Sequence, residues 1–332
     1  MKEDHHNLLV DTLKRRINYL RISITDRCNL RCVYCTPAQP FNRLAHRSIL
    51  RYEEILRIAK VATGLGITKM RVTGGEPLVR NGCIDFLDRL REIPGIADLS
   101  LTTNGILLEK QLDRLARIGI RRLNISLDTL DACKYKKITG HDAFAHVWSA
   151  IRAALDKGFS PIKINVVAMS GINSDELEGL AALTFEFPFH VRFIERMPFS
   201  GLETDGSPPL LEEGIRLKLA PLGTLEPVHP DRNDGPAKRY RLEGAIGEIG
   251  FISAMSHHFC SACNRLRLTA DGRLRGCLFS DAMIDIKTPL RSGASDDDIA
   301  ALLIEAIRTK PSRHHLLTDP GSVRRKMYSI GG

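Results

Sequence analysis

The sequence predicts an α/β fold in which parallel strands are covered by helices, and three observations predict it. The first is a recurring unit between about residues 18 and 198: a short apolar strand, a turn, then an amphipathic helix. The strands read "INYLRISIT", "KMRVTGG", "LSLTTNG", "RRLNISLD", "IKINVVAM" and "VRFIERMP". Between them stand "EEILRIAKVATGLG", "IDFLDRLREI", "EKQLDRLARIG" and "AFAHVWSAIRAALDKG", whose apolar residues recur at three and four, the helical period. Strands that alternate with helices argue for a parallel sheet with helices packed outside it. Six units in a row favour a barrel or partial barrel over an open sheet, although periodicity does not separate the two. In such barrels the chemistry gathers at the C-terminal strand ends. The second observation is a composition shift after Met197, where "PFSGLETDGSPPLLEEG" and "EPVHPDRNDGPAK" read as loop and linker around one short helical or extended piece. The third is 43% hydrophobic and 26% charged residues over 332 positions, enough for a buried core. A last helix is expected near "DDDIAALLIEAIRTK".

Several classes are excluded early. No apolar run approaches the roughly 18 residues that cross a bilayer. The start, "MKEDHHNLLVDTLKRR", lacks an apolar h-region, and its early acidic residues argue against a transit peptide, so a cytoplasmic location is expected. Eight cysteines without an export signal read better as metal ligands or catalytic thiols than as a disulfide framework. The formal charge of +9 suits a polyanionic partner but does not say which. No RNA-binding motif with interleaved aromatics accompanies it, so no nucleic acid is expected.

The cysteines fall in two groups of three. Cys28, Cys32 and Cys35 follow the first strand with spacing C-x3-C-x2-C, and Cys260, Cys263 and Cys277 follow the linker with spacing C-x2-C-x13-C. A structural zinc wants four closed ligands, so each group is either a zinc site completed elsewhere (by His257 or His258 for the second) or an iron–sulfur cube with one iron lacking a protein ligand. Cys83 and Cys133 lie outside both groups and receive no role.

The first triad, with Tyr34 before its third cysteine, together with "TGGEP" (Thr73 to Pro77) at the end of the second strand, resembles the radical S-adenosylmethionine superfamily. The second triad and "CNRLRLTADGRLRGCLF" are similar to the GTP 3′,8-cyclase family within it, the molybdenum cofactor biosynthesis protein A family, and the resemblance runs from about Arg21 to the terminal "IGG". It implies an incomplete, six-stranded parallel (βα)6 TIM-type barrel over residues 1–198 and a C-terminal region, 199–332, with a second [4Fe–4S] cluster. It implies S-adenosylmethionine on the open iron of the first cluster, a deoxyadenosyl radical that takes hydrogen from C3′ of GTP, and attack of the new radical on guanine C8. The open iron of the second cluster would bind the guanine.

Residue by residue, the resemblance puts Arg21, Arg71, Thr102, Lys163, Arg265, Leu266 and Arg267 on GTP, and Tyr34, Gly75, Ser126 and Met197 on S-adenosylmethionine. Arginine forks suit phosphate oxygens. Gly331 and Gly332 would enter the site as a tail narrow enough to thread between ligand and wall. An electron donor and a downstream cyclic pyranopterin monophosphate synthase are implied partners, a homodimer is allowed, and no membrane partner is expected. Two departures from the family pattern stand out. Thr36 follows Cys35 where many members have Met, and the linker after Met197 lacks a tryptophan-containing acidic stretch. The rivals are a peptide-modifying radical enzyme, whose C-terminal region would carry more cysteines, and a zinc-binding nucleic-acid module.

Overall fold

The computed structural model describes residues 9–36, 43–198, 208–229, 235–313 and 327–330. Its elements run in chain order as β1 (Tyr19–Ser23), α1 (Tyr52–Gly64), β2 (Lys69–Thr73), α2 (Cys83–Arg91), β3 (Asp98–Thr103), α3 (Leu112–Arg117), β4 (Leu123–Ser126), α4 (Ala132–Thr139), α5 (Phe144–Asp156), β5 (Ile162–Ala168), α6 (Leu177–Glu186) and β6 (His190–Glu195). After these come α7 (Glu212–Leu219), β7 (Leu225–Pro227), β8 (Lys238–Leu242), β9 (Glu248–Ile252), β10 (Arg265–Leu268), β11 (Arg273–Arg275), β12 (Ile284–Asp285), α8 (Lys287–Arg291), α9 (Asp296–Arg308) and α10 (Met327–Ile330). All six strands of the repeating pattern are present, each at its quoted motif. The region after Met197 holds more than one short element. Its extra strands are two to five residues long, and four of its pairings are antiparallel, each between strands joined by a Gly-containing segment.

The chain forms two compact units: one from residues 1–29, 39–101 and 260–332, the other from residues 30–38 and 102–259. In the first unit, β10 and β2 pair in parallel on either side of β1, and β2 pairs in parallel with β3. Antiparallel β11 and β12 extend the edge beyond β10. Strands of parallel sheets usually read as continuous apolar runs; β1 and β2 instead alternate. Leu20, Ile22, Met70 and Val72 are fully buried on one face. The other face carries Tyr19, Arg21 and Ser23 on β1, and Lys69, Arg71 and Thr73 on β2. One sequence period thus makes an apolar face for packing and a polar face for a ligand. α1 buries Ile55, Ile58, Ala59 and Ala62, the i, i+3, i+4, i+7 stripe, and begins where the Glu54 carboxylate accepts from Arg51 N at 2.6 Å. α9 starts with a capping box between Ser295 and Asp298 and buries Ile299, Leu303, Ala306 and Ile307.

In the second unit, β4, β5 and β6 are parallel neighbours, β9 joins β6 in parallel, and β8 and β7 complete the edge in antiparallel fashion. Among the described residues no helix is long and apolar enough to cross a membrane.

At the end of β6, Glu195 is 1% exposed. Its carboxylate accepts from Glu212 N at 2.8 Å, Met255 N at 2.7 Å, Ser256 N at 2.9 Å and Ser256 Oγ at 2.5 Å. One side chain therefore pins the start of α7 and the segment after β9. Glu195→Ala leaves three buried N–H groups unmatched, at about 1–3 kcal/mol each. Urea unfolding of the variant is expected to show a loss of at least about 3 kcal/mol; an unchanged midpoint would remove Glu195 from that role.

Candidate active site

In the first unit, register assembles the cations. Arg21 stands opposite Arg267 on one side and Arg71 on the other, and Arg267 stands opposite Arg275. Two residues earlier, Tyr19 stands between Arg265 and Lys69. Residues two apart share a face, so both rows project from the polar face of the same strands. Arg71 Nε donates to Ser100 Oγ at 3.1 Å. Lys69 is paired with Asp98 at 3.1 Å, both buried. The Tyr19 ring lies under both Lys69 and Arg71, at 5.1 and 5.6 Å from its centroid. Arg275 is turned to the carbonyls of Leu278 and Ser280, so it holds the segment after Cys277.

The cost of this crowding shows in the acidities. Burial, and then the Arg71 and Arg265 charges, push Arg21 down to about 10, with Tyr19 opposing. Burial, followed by Arg21 and Arg265, holds Arg267 well below the usual arginine range. Burial would raise the Tyr19 phenol, but Arg71, Arg21, Lys69 and Arg265 together hold it below its ordinary value. A polyanion between these groups would relieve the repulsion. Leu266 differs from its neighbours: it faces the opposite way, opposite Leu20, and is 1% exposed, so its side chain belongs to the core and not to the arginine row.

The second triad lies in the same unit. None of the eight cysteines is in a disulfide, and Cys260, Cys263 and Cys277 are half-buried. Burial alone would raise the Cys263 thiol, but Arg265 and Lys310 pull it down to about 6. An iron–sulfur group takes cysteine sulfurs as its ligands, and three half-buried cysteines outside any disulfide are a donor set of that kind. Cys28 also belongs to this unit, and its carbonyl accepts from Arg43 Nη2 at 3.4 Å. The "TGGEP" segment is laid directly on the chain before Cys28. Gly75 N donates to Thr25 O at 2.7 Å and Glu76 N to Arg27 O at 2.8 Å. A Cβ at Gly75 would lie 2.7 Å from the Arg27 carbonyl carbon, and one at Gly74 would lie 2.8 Å from Thr25 O, so only glycine allows the approach.

In the second unit, Cys32 and Cys35 occupy a turn in which Cys35 N and Thr36 N both donate to Cys32 O at 2.9 Å. The turn is fastened by Arg31 N to Thr139 O and Val33 N to Ile138 O, at the end of α4, and by Tyr34 Oη, which donates to Asp128 Oδ2 at 2.7 Å. Asp128 also accepts from Val167 N at 2.8 Å. Burial and then the Asp128 charge raise the Tyr34 phenol well above its usual value, so it remains a proton donor. Lys163 is buried on β5, in register with Asn124 and His190. Ser126 is in register with Asn165, which pairs in turn with Arg192. Thr102 Oγ1 and Asn165 Oδ1 are buried without a hydrogen-bond partner in the structure. Met197 is half-buried just after β6. Gly331 and Gly332 lie outside the described residues. Among those described, no three His, Cys, Asp or Glu side chains are gathered as a single-ion site.

Sequence reasoning missed Tyr19, Lys69, Asp128 and Arg192. The first two could have been found by counting two residues back from Arg21 and Arg71. Asp128 and Arg192 gave no local signal, because their partners come from other elements. Burial lifts Asp128 from 3.8 to about 6, against the hydrogen bonds from Val167 N and Tyr34. Its contribution to stability is therefore fully present below pH 3.8 and lost as pH rises through about 6. In the apoprotein, the stability difference between wild type and Asp128→Asn is expected to change by about 2 kcal/mol between pH 4 and pH 7, in favour of the variant at pH 7. A difference independent of pH would show that Asp128 is not buried as described.

Residues 22–184 match the Radical SAM superfamily, and residues 189–316 match the family described as Molybdenum Cofactor Synthesis C. The chain is 49% identical to the GTP 3′,8-cyclase of Pelotomaculum thermopropionicum and 48% identical to that of Moorella thermoacetica, each alignment covering 97% of this chain and 99% of the relative. It is 46% identical to the GTP 3′,8-cyclase of Heliobacterium modesticaldum, over 98% of this chain and all of the relative. Among solved structures, Streptococcus suis SuiB bound to S-adenosylmethionine superposes with a TM-score of 0.61 at 15% identity, covering 86% of this chain and 67% of SuiB. That likeness concerns the fold alone, a parallel α/β partial barrel.

Proposed function

The chain belongs to the GTP 3′,8-cyclase family of radical S-adenosylmethionine enzymes, and we propose that it converts GTP to (8S)-3′,8-cyclo-7,8-dihydroguanosine 5′-triphosphate in molybdenum cofactor biosynthesis. The family brings one [4Fe–4S] cluster and S-adenosylmethionine. The observation that carries the substrate reading is the row Arg267, Arg21, Arg71, three cations in register on adjacent strands of the polar face. A triphosphate is the polyanion that such a row suits, since each guanidinium can fork onto phosphate oxygens.

Cys28, Cys32 and Cys35 would hold the first cluster, with Tyr34 fixing the turn and Gly75 and Ser126 offering backbone and hydroxyl to S-adenosylmethionine beside Met197. When bound, cluster and S-adenosylmethionine together supply the radical chemistry that opens the C3′–H bond and leads to the C3′–C8 bond. Cys260, Cys263 and Cys277 would hold a second cluster with three protein thiolates, leaving a position for the guanine. Arg21, Arg71, Arg265 and Arg267 neutralise the triphosphate, and Lys163 and Thr102 orient it, with the backbone of Leu266 in reach of the nucleotide. The division at residue 198 is part of the same reading: the radical S-adenosylmethionine partial barrel before it, the region with the second cluster after it. So are the Gly331–Gly332 tail in the site, an external one-electron donor, hand-over to a cyclic pyranopterin monophosphate synthase, and a homodimer.

Arg71→Ala and Arg267→Ala are each expected to weaken GTP binding roughly ten- to a hundredfold, from about 1.5–3 kcal/mol per lost charge-assisted contact, with iron content unchanged. Titration calorimetry at two salt concentrations checks this, and unchanged affinity in both variants would take the arginine row out of the site. Replacing Cys260, Cys263 and Cys277 together by Ala should halve the iron and abolish cyclised product, while deoxyadenosine formation from S-adenosylmethionine persists. Product from that variant, read by mass spectrometry, would end the substrate role of the second triad.

A further inference from the structure

The second cysteine triad is surrounded by two buried cations whose contacts the substrate reading leaves unused. Lys310, just beyond the end of α9, is 5% exposed. Its Nζ donates to Arg265 O at 2.9 Å, to Gly276 O, and to the Cys263 sulfur at 3.4 Å. An ammonium has three donors and no acceptor, so all three are committed: two to backbone carbonyls and one to the thiol sulfur. The carbonyls belong to the segments that carry the other chemistry, β10 with its arginines and the residue before Cys277. Arg15, 6% exposed and ion-paired with Asp11, donates through Nη1 to Cys260 O at 2.7 Å and through Nη2 to Pro311 O at 2.9 Å. One cation thus ties Cys263 to the Cys277 segment, and the other ties the Cys260 backbone to the residue after Lys310.

The packing leaves Lys310 little freedom to point elsewhere. A Cβ on Gly276 would lie 3.0 Å from Lys310 Cα and 3.1 Å from Ala306 O, so the end of α9 rests directly on the backbone before Cys277. Hydrogen bonds to ligand sulfur and local net charge are two of the means by which a protein sets an iron–sulfur potential. A buried cation that donates to a ligand sulfur supplies both, and both favour the form with one more electron.

We propose that Lys310 is a positioning residue of the second cluster, whose buried positive charge, held against the Cys263 sulfur by its hydrogen bond, raises the reduction potential of the group held by Cys260, Cys263 and Cys277. The inference rests on the reading that this triad holds a cluster. The experiment uses the full chain with Cys28, Cys32 and Cys35 replaced by Ala, so that any remaining iron belongs to the second triad. Iron content and the potential, followed by spin-resonance titration, are read for Lys310 and for Lys310→Met. The expected result is equal iron and a reduction equilibrium about tenfold less favourable in Lys310→Met, which is about 59 mV for a one-electron couple. An unchanged potential at equal iron content overturns the proposal and leaves the cluster reading intact. Absence of iron in the parent variant overturns the cluster reading and the proposal with it. Should Lys310→Met fail to load, Lys310→Gln is compared with Lys310→Arg. A lower potential in the Gln variant, which keeps a donor without the charge, supports the proposal, and equal potentials overturn it.

Discussion

Charge repulsion along one row of strand register is the constraint on which this protein's first unit is organised. Neighbouring parallel strands stand about 4.8 Å apart. Placing Arg267, Arg21 and Arg71 in the same register therefore brings like charges together on one face, where Arg267 is buried and Arg21 and Arg71 are half-buried. Two unit charges roughly 5 Å apart at an effective dielectric near 20 repel by about 3 kcal/mol. The fold tolerates this because the opposite face of the same strands, Leu20, Ile22, Met70, Val72 and Leu266, is fully apolar and buried. Burial on one face offsets strain on the other, and the strained face becomes the part of the molecule that gains most from a polyanion.

The same logic governs the sulfur ligands. Burial, with the Glu76 charge, pushes the Cys83 thiol up to about 12, so it stays protonated. Cys263, half-buried, goes the other way because Arg265 and Lys310 stand against it. Arg265 belongs to both arrangements, beside Tyr19 in the cation rows and beside Cys263 in the triad.

Elsewhere, geometry is held by a few buried carboxylates and by missing side chains. Glu195 gathers three backbone amides, and Asp128 joins the Cys32–Cys35 turn to the backbone of β5 through Tyr34 and Val167. Gly74 and Gly75 let one backbone lie on another at distances that no Cβ permits. Each feature places a functional segment to within a hydrogen bond, and each depends on a single residue.

The sequence by itself determined the alternation of strands and helices, both cysteine triads, the glycines of "TGGEP" and the arginines, because all of these are local: periods of two and 3.6, and ligands close together in the chain. It placed six strands correctly, but after Met197 it foresaw only one short helical or extended piece and a last helix, where β7 to β12 stand among Pro- and Gly-rich segments. Tertiary structure decided which arginines stand side by side, since Arg267 reaches Arg21 only when β10 inserts beside β1, more than two hundred residues away in the chain. It decided that Leu266, between Arg265 and Arg267, turns to the core. It also decided that Lys310 meets Cys263, a contact between the end of a helix and a loop that no spacing rule connects. Local pattern specifies what a residue can do, and register and packing specify which charge it must do it beside.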